Sequence, residues 1–493
     1  MIASECESLA RTGGLGDVVE QLSRALSRLG HHVLVVTPRY GVTRAPEPLS
    51  RWADPVPVRV GWAPGDVREV TVFELPRETD PATGGTYRVA LVDDPALFGL
   101  RAGIYGDARG TFGDNELRFA TLSRAGLEIG ARAWLAEGGH EPDVVHAHDW
   151  HAAFAVLYGK RTMGDAWRAR PFVFSIHNLA YQGVMGPEAV DRLALPREIY
   201  TPFCLEHHGT VNLMKAAVAL SDAVTTVSRT YAREILGEAG GFGLHQHLRA
   251  HAHKLTGIEN GIELDRFDPR TDPAIACAYD ARTAQAGKAR CQGALLAELG
   301  LAHDTGPVIS LVSRLVWQKG VDLALESAGW LVERGARLVI VGQGEPALER
   351  AIVALAARHP KRIAARVAFD GALARRVYAA SDFMLVPSRF EPCGLVQLYA
   401  MRYGAIPIVT PVGGLHDTVA PIDAARATGT GVVADGVSAA AVRAALAAAL
   451  DLWASPGALA AARARGMAAD VGWAAPAARY VEIYRAAAKS TRL

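Results

Sequence analysis

Phe383-Met-Leu-Val386 runs directly into Pro387-Ser-Arg-Phe-Glu-Pro-Cys-Gly-Leu-Val-Gln397. Four apolar residues in succession make a strand buried on both faces, because a half-exposed strand would alternate. The proline ends it at Val386. Pro392 suits the first turn of a helix, which leaves the amides from Cys393 to Val396 without intrahelical partners and able to hold a phosphate. Glu391 then stands beside an anion site, where a carboxylate is repelled unless it binds hydroxyls of a sugar or steadies positive charge developing on carbon. Two structural alternatives remain for it: capping the helix, or pairing with Arg389.

Outward from this segment the same strand-then-turn unit recurs. Residues 308–312, 338–341, 367–369 and 406–409 form one series with it, beginning near Lys254-Leu-Thr-Gly-Ile258. Residues 32–37, 70–75, 144–148, 172–176 and 223–227 form an earlier one. Strands alternating with helical patterns predict an α/β chain of two doubly wound, Rossmann-like domains with parallel sheets covered on both faces. The expected divisions are 1–253, 254–472 and a C-terminal helix at 473–493 that returns to the first domain. Thr12-Gly-Gly-Leu-Gly-Asp17 and Val412-Gly-Gly-Leu-His-Asp417 repeat one pattern, once per half. They read as phosphate-binding or helix-packing corners. Ligands of such sheets sit at the carboxyl ends of the strands, so an active site shared by the two domains is expected.

With 493 residues, half of them hydrophobic, and a net charge of +1, the chain has ample core and no global field for nucleic acid or membrane. Five scattered cysteines without a C-x-x-C pair speak against a disulfide framework or zinc ribbon and for a reducing cytosol. No apolar run approaches the roughly 20 residues of a membrane span, so a soluble, cytoplasmic protein is expected. The histidines of residues 245–253 read as solvent-facing.

Several strand ends carry chemistry. Gly13 and Gly14 open a helix whose N-terminus favours phosphate, with Arg11 adding charge and Asp17 suited to sugar hydroxyls. His146-Ala-His-Asp-Trp-His151 sets a carboxylate and an indole at a strand end; it lacks a fourth ligand at structural-metal spacing, and a sugar fits it better. His177, Asn178, Tyr181 and Gln182 follow the next strand. Arg314 and Lys319 share one loop and can neutralise a departing diphosphate without metal. Gly342-Gln-Gly-Glu345 could receive a base or ribose, a weak signal by itself.

Taken together, T-G-G-L-G-D, Tyr105 in Arg101-Ala-Gly-Ile-Tyr-Gly-Asp107, Asp114-Asn115 with Arg118-Phe119, H-A-H-D-W-H, H-N-L-A-Y-Q-G, Asn260-Gly-Ile, S-R-L with Q-K-G, and S-R-F-E-P-C-G-L resemble the bacterial glycogen and plant starch synthases in family order across almost the whole chain. The resemblance implies a GT-B fold and a retaining hexosyltransferase that moves glucose from ADP-glucose, or UDP-glucose, to the non-reducing end of an α-1,4-glucan. It implies no cofactor and no metal. Arg314 and Lys319 would neutralise the diphosphate, Glu391 and Asn260 would hold the donor glucose, and Asp149 and His177 would line the reacting centre. Tyr105 would contact the nucleotide. Arg11, Gly14, Asp17, Cys393, Gly394, Leu395 and Val396 complete the donor-binding set, with the amides of Gly394 and Leu395 on phosphate. The chain departs from the family in having Arg11 where lysine is usual and in a first strand that relatives begin several residues before Met1. Tyr399 stands where many relatives outside the family carry a second glutamate. From another class, a catalytically weak glucan-binding or scaffold protein is the alternative.

Overall fold

The structure is a computed structural model describing residues 1–490 apart from 46–47, 64, 136–138, 140, 369 and 424. The chain forms two compact units: Met1–Val227, Ala232–Ile258 and the segment from Trp473 onward make the first, and Ser228–Tyr231 with Glu259–Gly472 the second.

The second unit is built on a sheet ordered Ile363–Arg366, Arg337–Val341, Val308–Val312, Phe383–Val386, Ile406–Val409, Val432–Val433, with every neighbouring pair parallel. Numbered along the chain this is 3-2-1-4-5-6, the doubly wound order. Side chains sort by parity. Val308, Val339, Val341, Met384 and Val386 enter one core cluster, while Ile309, Leu311, Leu338, Ile340, Phe383 and Leu385 enter the other. Alternate residues of a strand face opposite ways, and both faces meet helices, which explains the unbroken apolar runs. Each such side chain contributes about 1.5–3 kcal/mol by leaving water.

One strand of this sheet differs from the sequence reading. The pairing segment is Ile363–Arg366, ahead of the predicted 367–369; Val367 and Ala368 follow it, and Phe369 lies outside the described residues. Its alanines are too small to announce a strand.

In the first unit the order is Ser50–Arg51, Val67–Glu74, Thr86–Asp93, His32–Pro38, and then Val145–His148, Phe172–Ile176, Ala223–Thr226, Leu255–Gly257. Met1–Ala3 joins the two halves: Ile2 bridges Val36 on one side and Ala147 on the other, both parallel. Three corrections arise here. Val67–Glu74 runs antiparallel to Thr86–Asp93, so this sheet is mixed. Thr86–Asp93 itself was not expected, because Arg88 interrupts its apolar run; that guanidinium is buried against Glu74 at 2.7 Å. Finally, Leu255–Gly257 pairs with Ala223–Thr226 and completes the first sheet, moving the boundary from 253 to just after Ile258. Hydrogen-bond partners decide which sheet owns a strand, and composition does not reveal them.

The C-terminal helix Ala474–Ser490 packs on the first unit through Ala477, Tyr480 and Val481, in one cluster with Val18, Leu22 and Leu26. Trp473 Nε1 donates to Gln21 Oε1 at 2.9 Å. Among the described residues no single helix is long and apolar enough to cross a membrane, and no cluster of His, Cys, Asp or Glu is suited to a metal ion. The 245–253 stretch is a short helix and a 3-10 turn; His247 is half-buried and bonded to the Lys215 carbonyl at 2.9 Å, against the expectation, while His253 is exposed.

Candidate active site

A doubly wound sheet opens a crevice where its strand order reverses. In the second unit the reversal separates Val308–Val312 from Phe383–Val386, and the loops after them border the crevice. A small cavity of about 50 Å³ lies there, lined by Ser313, Lys319, Ser388, Glu391, Gly394 and Leu395 among others. The buried Glu391 carboxylate accepts hydrogen bonds from Lys319 Nζ at 2.5 Å and Ser388 Oγ at 2.8 Å. Arg389 instead forks onto Asp322 at 2.7 and 2.6 Å. The helix behind begins at Val396, with Leu395 as its N-cap and no side-chain cap. Both structural alternatives for Glu391 therefore fall away. So does the expected helix start at Pro392: Gly394 takes a left-handed backbone, φ +74°, which breaks the helical path before Val396.

Arg314 is exposed on the loop it shares with Lys319, its guanidinium 3.5 Å from Gln318 Oε1. Asn260 is buried beside Cys393, whose thiol burial raises to about 12 against the opposing influence of Asn260. The Asn260 Oδ1 is buried with no partner among the described residues, a polar atom available to a ligand. The second Gly-Gly-Leu-x-Asp corner proves to be a packing device. A Cβ on Gly413 would sit 2.0 Å from the Glu391 carbonyl oxygen, and one on Gly414 would sit 2.0 Å from that of Cys393. The Glu391 loop is thus braced against bare backbone.

In the first unit the reversal separates Met1–Ala3 from Val145–His148. Glu5, absent from the sequence reading, organises the turn there. Its carboxylate accepts from the Thr12 amide at 2.8 Å, the Gly13 amide at 3.3 Å and the Tyr105 hydroxyl at 2.6 Å. Tyr105 thereby has its hydroxyl occupied, and its ring stacks on His151 at 4.7 Å. Asn115 and the fully buried Arg118 hold the Tyr105 loop through its carbonyls, which accounts for that motif as scaffolding. Helix Gly14–Arg28 starts at the predicted glycine, and open space lies where a Cβ on Gly13 would stand. Arg11 pairs with Glu7 at 3.1 Å and with Asp17 at closer range. One guanidinium thus serves two buried carboxylates, and burial together with Glu7 raises Asp17 to about 8.

Asp149 sits at the strand-to-helix junction in a left-handed conformation, φ 56°, that costs a non-glycine residue about 1–2 kcal/mol. Such strain persists where surroundings enforce it. Its Oδ1 accepts from the His177 amide at 2.7 Å and the Asn178 amide at 3.4 Å, and burial raises its carboxyl to about 7. Burial lowers His177 to about 3, so its ring is neutral at physiological pH. His148 Nδ1 lies 3.0 Å from His177 Nε2. The structure therefore brings Glu391, Lys319, Asn260, Cys393, Gly394 and Leu395 together in one unit, and Arg11, Gly14, Asp17, Tyr105, Asp149 and His177 around the crevice of the other. Ser388 and His148 lie inside motifs read from the sequence without a role of their own, and Glu5 and Glu7 were not assigned one, since buried partners carry no spacing signal.

Two α/β units whose sheets each reverse order at a crevice, one in the doubly wound order and bearing a Lys–Glu pair beside a glycine-rich loop at its reversal point, define a glycosyltransferase of the GT-B class. Residues 1–250 match the family described as the starch synthase catalytic domain, and residues 306–451 match glycosyl transferases group 1. The chain is 41% identical over 463 residues to the glycogen synthase of Myxococcus xanthus, covering 93% of this chain and 92% of that one. It is 40% identical to the glycogen synthase of Anaeromyxobacter dehalogenans over 99% of both chains. The catalytic domain of starch synthase IV from Arabidopsis thaliana, bound to ADP and acarbose, superposes with a TM-score of 0.89 at 30% identity, covering 99% of this chain and 98% of that one. The chain belongs to the glycogen synthase and starch synthase family of hexosyltransferases.

Proposed function

We propose that the chain transfers glucose, with retention at the anomeric carbon, from ADP-glucose to the non-reducing end of an α-1,4-glucan in the cytoplasm. The observation that carries this reading is the Lys319–Glu391 pair at 2.5 Å beside the cavity at the reversal point. ADP is favoured over UDP because the structurally similar starch synthase IV domain was captured with ADP.

In the proposed reaction Lys319 and Arg314 neutralise the diphosphate as the glycosidic C–O bond breaks. The Gly394 and Leu395 amides hold its oxygens. Glu391 and the Asn260 Oδ1 accept hydrogen bonds from donor glucose hydroxyls, and Glu391 offsets positive charge building at the anomeric carbon. Asp149 and His177 line the reacting centre. The acceptor hydroxyl attacks the face that the diphosphate leaves and passes its proton to the departing diphosphate, so catalysis rests on placement and preorganised charge rather than on a covalent nucleophile. A scaffold role without turnover predicts no dependence on these groups. Incubation of labelled ADP-glucose with a glycogen primer tests the proposal: incorporation sensitive to α-1,4-specific digestion is expected, and none in folded protein would refute it.

A further inference from the structure

We infer that His148 is a positioning residue that fixes the tautomer of His177, holding the His177 proton on Nδ1. This rests on the proposed placement of His177 at the reacting sugar. Both imidazoles lie at carboxyl ends of adjacent parallel strands, where His148 pairs in register with Ser175 and His177 follows Ile176.

The contact between His148 Nδ1 and His177 Nε2, at 3.0 Å, joins two neutral rings, so one nitrogen must donate and the other accept. The choice is made at the far side of His148. Its Nε2 is buried and has no hydrogen-bond partner among the described residues, while the ring lies 4.0 Å from that of His146. A buried N–H left unpaired is more costly than a buried lone pair left bare, and orphaned donors are the rarer fault in proteins. His148 therefore keeps its single proton on Nδ1 and donates to His177 Nε2. His177 then accepts at Nε2 and must carry its own proton on Nδ1, which has no partner among the described residues.

The neighbouring histidine does not compete for this bond. His146 is engaged at both nitrogens, with Tyr484 Oη at 2.8 Å and Ser175 Oγ at 2.7 Å, and Ser175 Oγ continues to Thr225 Oγ1 at 2.5 Å. Burial lowers the pKa of both His146 and His148 well below the usual imidazole range, so neither supplies a second ring proton near neutrality. The outcome for function is direct. With the proton on Nδ1, His177 is a hydrogen-bond donor toward a sugar hydroxyl; with the opposite tautomer it would offer only a lone pair.

Long-range ¹H–¹⁵N correlation spectra of the full chain labelled with ¹⁵N-histidine, with His177→Gln for assignment, read the tautomer without reference to activity. The expected result is a protonated Nδ1 on His177 in the wild type, and its loss or mixing in His148→Phe. A protonated Nε2 on wild-type His177, or an unchanged tautomer in His148→Phe, overturns the inference. Kinetics supply the second readout. His148→Asn keeps a side-chain donor near the Nδ1 position and should retain turnover, whereas His148→Phe and His148→Gln should lower kcat about tenfold with little change in donor KM. Equal loss in all three variants would show that His148 only fills space. A fully active His177→Gln would refute the placement of His177 at the sugar while leaving the tautomer assignment standing.

Discussion

Lys319 and Glu391 hold each other at 2.5 Å, a buried pair already matched in charge. Removing one leaves the other buried without compensation. Lys319→Ala and Glu391→Gln are each expected to lower kcat by about 10²–10³-fold, measured as glucose incorporation, while glycogen binding by cosedimentation persists. Binding and rate lost together would assign the pair to the fold. Arg11 poses the opposite case, since Glu7 already occupies its charge while Asp17 lies against it. Glu7→Gln should release part of that charge toward the donor phosphates and lower the ADP-glucose KM several-fold, by about 1 kcal/mol; an unchanged or raised KM would argue that Arg11 is a purely structural cation. At this scale the sequence was a good guide to which residues the structure gathers at the two reversal points. Glu391, Lys319, Asp149 and His177 announced themselves as polar groups at the ends of apolar strands. Glu5, Ser388 and His148 did not, because their importance lies in a partner 100, 3 or 29 residues away.

Turns and helix starts position those residues, and here glycine has a steric role. Gly413 has φ +45° and faces the Glu391 carbonyl, so Gly413→Ala combines left-handed strain with overlap. A loss of about 3 kcal/mol is expected, read as a lowered urea midpoint, together with a fall in kcat as the Glu391 loop is displaced. An alanine variant of native stability and rate would show that this bracing is dispensable. The two Gly-Gly-Leu-x-Asp segments look alike in sequence yet do different work. In the first, Gly13 borders open space and Glu5 caps the turn; in the second, both glycines admit neighbouring backbone. Periodicity found the strands and the helix starting at Gly14. It could not find the strand Thr86–Asp93 behind its buried Arg88, nor the ownership of Leu255–Gly257.

For the molecule as a whole, buried titratable groups set the pH response. His146, His148, His151 and His177 are all kept neutral by burial, the last two with values near 3. Each therefore binds a proton in the unfolded chain below its ordinary value of about 6.5 but not in the folded one, so its contribution to stability is full above that pH and is lost as pH falls. Asp17 and Asp149, raised to about 8 and about 7, act the other way between about pH 4 and their folded values. The imidazoles, joined by His247, which burial lowers to about 4, outnumber the carboxyls, so between pH 6 and 4 unfolding should take up at least about two protons net. Stability should then fall by about 2–3 kcal/mol per pH unit on acidification, as urea titrations at a series of pH values would show; flat midpoints across that range would contradict the buried, neutral assignment. The two-unit fold itself was legible from the two series of strands, because both faces of each sheet are covered and the runs stay apolar. The central claim, glucan synthesis from a nucleotide sugar, is tested most directly by a donor panel. With labelled ADP-glucose and UDP-glucose supplied in parallel to folded protein and a glycogen primer, the expected result is α-1,4 extension that is faster with ADP-glucose and collapses in Glu391→Gln. Extension with neither donor, or extension indifferent to Glu391, would contradict it.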